Sequence, residues 1–384
     1  MKALLAQADA LFADRKVSDG MNILADLIGS VEGKPGERDQ LLAWIIERVG
    51  HEHPQVGAHI ALAGGALVES GASAAALGRA VVAPVERALV DADRVLDHVA
   101  MLPEEHAHDE DAEEHEHDED DIFHIAGKHV SRAALDAFGE QDLAAVRAWF
   151  SLDIWYRPAV ATWTRDLGVL REVQARPSLR AAIAKLGNET STSHWLSILI
   201  EAVSAAPFVV LVPELEEAWA FTADGVVDMG QLTVLASKEL SDPLARIEAS
   251  AVATRDELAV MSGDGPQSGD GGYASSFAFY PVEAVDPGDG LPRDGIHMWS
   301  APGGTGTHSL PGDFLPGTLE VIDGARLLVM VGPKAPGMRF VRIIQSARMF
   351  DALAARLTGA RKLPDDQARR WIQVARAYGA KARA

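Results

Sequence analysis

The chain has 384 residues, 48% of them hydrophobic, and a formal charge of −21 at pH 7. That apolar content can bury a sizeable core and excludes disorder throughout, while the negative charge opposes phosphate backbones and anionic lipid and argues against nucleic acid and membrane as partners. The absence of cysteine removes any disulfide framework and any thiolate zinc site.

Asp9 and Asp14 interrupt the apolar pattern of the first residues, so the uninterrupted apolar segment of a secretory signal is missing. The longest uncharged apolar tract, around Val56 to Val68, is too short to span a bilayer. A cytoplasmic protein is expected.

Leu4, Leu5, Ala8, Leu11 and Phe12 share one helical face, and similar spacings follow Ser18 and the Lys34-Pro35-Gly36-Glu37 break. Further helices are expected from Gln55 to about Glu69 and, starting at about Pro84, along Val85, Leu89, Leu96 and Val99. Residues 1–102 therefore read as a helical domain.

Residues 103–124 read as an acidic, His-rich linker. From Glu104 to Asp121 there are 12 carboxylates, 4 histidines and 2 alanines, a composition that repels itself and has nothing to bury. Within it, His106/His108 and His115/His117 form two His-x-His pairs that point the same way in an extended chain, so each pair could share a Zn or Ni ion. His51, His53 and His59 lack the i, i+4 spacing that aims two imidazoles from one helix at a single ion.

Residues 125–206 continue the helical period, with Ser131 opening a helix and Gly187 closing another. The period then changes. Phe208 to Val212 is a continuous apolar run of the kind covered on both faces of a sheet, and Ala223-Asp224-Gly225 reads as a hairpin turn. Phe277 and Phe279 mark a strand that Pro281 pushes to a sheet edge. Leu319–Val321, Leu327–Val331 and Phe340–Ile344 are further strand candidates, before two helices finish the chain. In the last of these the apolar stripe is Ala368, Trp371, Ile372, Ala375 and Tyr378. Residues 207–384 thus read as a mixed α+β domain, and the fold class as α+β, mainly helical.

No nucleophile elbow, zincin motif, dinucleotide fingerprint or kinase signature is present. Gly303-Gly304-Thr305-Gly306-Thr307-His308 lacks the Lys-Ser/Thr pair of a phosphate loop. In the β-rich half Asp228, His297, Trp299 and His308 are the candidate ligand-binding residues, an aromatic wall with two imidazoles and a carboxylate.

Several segments between Trp155 and Gly332 resemble, in kind and order, stretches of an uncharacterised bacterial protein family seen mostly in actinobacteria. They are WYRP at 155–158, HWL at 194–196, FVVLVPE, FTADGVVDMGQLTVLA, IHMW at 296–299 and GARLLVMVG at 324–332. Where those relatives carry Asn-Phe before the Gln-Leu, this chain has Met229-Gly230. The resemblance implies only the architecture of the second half and no activity. The leading expectation is a non-catalytic binding protein with a protein partner. The alternatives are a small-molecule enzyme with its site in the β-rich half, and divalent-metal buffering by the linker.

Overall fold

Apolar residues three and four apart build five helices in the first hundred positions: α1 (Lys2–Ala13), α2 (Val17–Ser30), α3 (Pro35–Ile46), α4 (Pro54–Glu69) and α5 (Ala74–Met101). Proline opens α3 and α4, where its missing N–H costs nothing. The computed structural model describes residues 1–102, 122–249, 253–264, 275–286, 288, 290, 310, 312–334, 350 and 352–381. It divides into two units, 1–200 and 201–384.

Helix α5 begins ten residues before the expected start and runs through Pro84. Proline usually breaks a helix interior, but Leu77, Gly78 and Val81 before it and Val85, Leu89 and Val95 after it are all buried, so packing on both sides holds the helix together.

The acidic stretch, residues 103–121, lies outside the described residues, and its flanks belong to one unit. Val95 and Val99 of α5 share a core cluster with Ile125, Val130, Leu135 and Ala145. Lys128 Nζ donates to the Ala100 and Leu102 carbonyls at the end of α5, at 3.1 and 2.7 Å. The expected partition into 1–102 and 125–206 is therefore replaced by shared burial, since α5 covers its apolar stripe with residues from beyond the charge run.

Those residues begin with a hairpin that spans the end of the expected linker and the residues before the expected helix start at Ser131: β1 (Ile122–Ile125) pairs antiparallel with β2 (Lys128–Ser131). Its turn, Ala126-Gly127, has both φ values positive, +52° and +75°, a geometry usually announced by Asn-Gly and here carrying no such signal. Ser131 then caps α6 (Arg132–Trp163), accepting from Ala134 N–H at 3.2 Å. A kink at Asp142 divides that helix, and α7 (Leu167–Gln174), α8 (Pro177–Leu186) and α9 (Ser191–Ile200) complete the unit.

In the second unit, β3 (Ala206–Val212) and β4 (Glu217–Asp224) form an antiparallel pair joined by the 3-10 turn at Pro213–Leu215. The hairpin connection is there, and not at Ala223-Asp224-Gly225, where the chain instead leaves β4 for α10 (Met229–Glu239). Glu216, with φ +52°, closes the turn that sequence left unmarked. Two short helices follow, α11 (Ser241–Arg246) and α12 (Arg255–Ser262). Then come β5 (Ala278–Pro281), β6 (Val321–Ile322), β7 (Ala325–Val331), β8 (Arg356–Lys362) and α13 (Asp365–Lys381). The first of the two helices expected at the end of the chain is thus strand β8, which pairs with β4. Its apolar content is too sparse for either period, and edge pairing decides it.

The sheet order is β5-β7-β3-β4-β8, with β6 also on β7 and β3 parallel to β7. Pro281 lies on edge strand β5, as its missing donor requires. Strand β3 is covered on both sides. Phe208, Val210 and Val212 enter the cluster with α10, while Val209 and Leu211 enter the cluster with α13. The result is a mainly helical α+β protein, in which the mixed sheet has helices on both faces. Among the described residues no helix is long and apolar enough to cross a membrane.

Candidate functional site

Among the described residues three carboxylates are buried in the second unit, and each has structural work. Glu217, at the start of β4, accepts from Lys362 Nζ at 2.6 Å, Arg246 at 2.7 Å and Trp219 Nε1 at 3.3 Å. Burial pushes its carboxyl up, but those hydrogen bonds and the Arg246 charge outweigh it and hold the group below its ordinary value. Asp224, at the other end of β4, pairs with Arg356 at 2.8 Å and accepts from Ala205 N–H at 3.0 Å.

The third is Asp228, the sequence candidate. It is the N-cap of α10 and accepts from Gln231 N–H at 2.7 Å. The same turn is closed by Val227 N–H donating to Gln231 Oε1 at 2.9 Å, and Gln231 Nε2 reaches the Met261 carbonyl at 3.1 Å. Burial raises the Asp228 carboxyl from 3.8 to about 6 against the bonds from Gln231 and Gly230, with Asp313 adding to the rise. The other three candidates, His297, Trp299 and His308, lie outside the described residues, as do His106, His108, His115 and His117. Among the described residues no group of three or more His, Asp or Glu side chains could hold a metal ion.

A cleft of about 240 Å³ opens elsewhere, where α13 meets the carboxyl end of β3. Its floor is apolar, formed by Leu211, Val285, Ile372 and Ala375, and its walls carry Arg369, Gln373 and Arg376 of α13 together with Glu216 of the β3–β4 turn. Helical spacing aligns the α13 residues, because positions 369, 373 and 376 lie on one side of the helix beside its buried stripe. Gly379 lets the helix come this close: a Cβ there would lie 2.8 Å from the Val285 carbonyl oxygen. No family model, curated protein or solved structure matches this chain.

Arg376 is half-buried, and its Nε–H, shielded from solvent, finds no acceptor among the described residues. A buried donor without a partner costs on the order of 1–3 kcal/mol, which an entering acceptor would recover. Nearby Arg370 is paired with Asp323 at 3.0 Å, so the cations of α13 are not alike.

Of the cleft residues, sequence singled out only apolar ones, Ile372 and Ala375 in the stripe of α13 and Leu211 in the buried run, and not Glu216, Arg369, Gln373 or Arg376 as a site. One signal was available: Arg376 has no acidic residue three or four positions away on its helix.

Proposed function

We propose that the protein is a non-catalytic binding protein whose ligand is a small carboxylic acid held in the α13 cleft. The observation carrying this reading is the buried, unpartnered Nε–H of Arg376 in a walled cleft with an apolar floor. A guanidinium presents paired donors that match a carboxylate, and the apolar floor accommodates a short carbon skeleton. Glu216, from the β3–β4 turn, offers an acceptor in the same cleft, so a ligand with a carboxylate at one end and a hydroxyl or amine at the other is matched twice. At about 240 Å³ the cleft lies below the roughly 300 Å³ at which pockets for drug-sized ligands begin, which favours a small metabolite.

The test is a thermal-shift and calorimetric panel of lactate, glutamate, succinate and inorganic phosphate against sodium chloride at matched ionic strength. A bound ligand at a hundredfold excess over its Kd stabilises by about 2.7 kcal/mol. The expected result is saturable stabilisation by at least one carboxylate, absent in Arg376→Gln. A response equal to that of sodium chloride for every compound overturns the reading.

A further inference from the structure

The β1–β2 hairpin presents a pair of imidazoles that enters no hydrogen bond or ion pair among the described residues. His124 and His129 are direct cross-strand partners, and both are exposed. The two-residue turn makes Ile125 and Lys128 the hydrogen-bonded closing pair, so by alternation His124 and His129 occupy a non-hydrogen-bonded position, where facing side chains approach most closely. Their ring centroids are 5.4 Å apart at an interplanar angle of 75°. A tetrahedral ion bound by two imidazoles at about 2.0–2.1 Å sets ring centroids roughly 5 Å apart, so the observed spacing already suits a shared ion.

The platform beneath the pair is held in place. Ile125 and Val130 are buried on the opposite face of the hairpin, with Phe123 packed against the same cluster, which fixes the register. Lys128 is anchored to the end of α5, and the turn is pinned from outside, since Ala126 N–H donates to the Glu189 carboxylate at 2.7 Å. Two ligands on a rigid strand pair lose little freedom on binding, unlike two on a free chain.

We infer that His124 and His129 form a binding site for one borderline divalent cation, Zn²⁺, Cu²⁺ or Ni²⁺, with water completing the coordination. Imidazole nitrogen selects these ions over Mg²⁺ and Ca²⁺, and an ion held by only two protein groups remains open to exchange.

The experiment uses the full chain in which His106, His108, His115 and His117 are replaced by Ala, so that other histidine pairs do not compete. Titration calorimetry with Zn²⁺ at neutral pH is expected to give one ion per chain, and His124→Gln or His129→Gln to weaken it at least tenfold. With Cu²⁺, electron paramagnetic resonance should show two equatorial nitrogens, falling to one in either single variant. Circular dichroism should be unchanged in both, because the positions are exposed. No Zn²⁺ binding in the four-Ala protein, or the same affinity in the single variants, overturns the site.

Discussion

The two units bury apolar side chains in the same way but treat charge differently. Among the described residues of 1–200 the buried polar side chains are all Ser or Thr: Ser151, Thr162, Thr164, Thr190, Thr192 and Ser193. Charged side chains there pair at the surface or part-buried, as along α5, where Arg79 meets Glu172 at 2.7 Å, Glu86 meets Arg176 at 2.5 Å and Asp93 meets Lys185. Residues 201–384 bury Glu217, Asp224 and Asp228 and hold a half-buried arginine at a cleft. A hydroxyl bonded to a helix carbonyl, as Thr162 is to Pro158 at 2.7 Å, costs little to bury. A carboxylate must be compensated by partners from several elements, so burying it ties those elements into one geometry.

The largest effects should be the same in both units, because they are apolar. Phe208→Ala, which removes a ring stacked on Phe221 at 5.5 Å, and Trp163→Ala, which also loses the bond to the Gly78 carbonyl at 2.9 Å, should each destabilise by about 4 kcal/mol in urea denaturation. A loss below about 2 kcal/mol in one of them would show that its unit is loosely packed.

Asp228 gives the next effect, and it depends on pH. Its folded-state pKa, about 6, lies above the ordinary value of 3.8, so its contribution to stability is complete below about pH 4 and lost as pH rises through about 6. Asp228→Asn keeps the cap acceptor and removes the ionisation. The variant should exceed the wild type by roughly 3 kcal/mol at pH 7.5 and by little at pH 4. A gain independent of pH would mean that the carboxyl titrates alike in the folded and the unfolded chain.

Glu217→Ala removes the acceptor shared by Lys362, Arg246 and Trp219, and about 1.5 kcal/mol should be lost, since the two cations can turn to water. The smallest effect belongs to the first unit. Arg79→Ala should leave the melting temperature unchanged within error, because both partners of that pair are more than half exposed. A clear drop would erase the contrast between the units.

Much of this architecture was readable from local pattern. The switch from helical spacing to the Phe208–Val212 run announced a strand buried on both faces, and Pro281 announced an edge; both follow from periodicity and from a missing donor. The β1–β2 hairpin was not readable, since Ala126 at positive φ carries no turn signal beside Gly127 and the short strands are specified by what they pack on, Val95 and Val99 of α5. Strand β8 was likewise hidden, its Leu357 being the only buried residue in a run that β4 orders through pairing.

Asp228 shows where the division falls. Sequence alone offered it only as a pocket carboxylate in the β-rich half. Its buried place among the residues covering one face of the sheet makes it a cap with a raised pKa. Arg376 shows the converse. Its identity was plain in the sequence, but an arginine on an amphipathic helix is ordinarily solvated. Only the close seat of α13 on Val285, allowed by Gly379, brings it to the cleft. Sequence by itself determined composition, helical faces and the buried central strand, because these depend on neighbours three, four or two positions away. The tertiary structure decided which polar groups lost their water, because desolvation is imposed by residues far off in the chain.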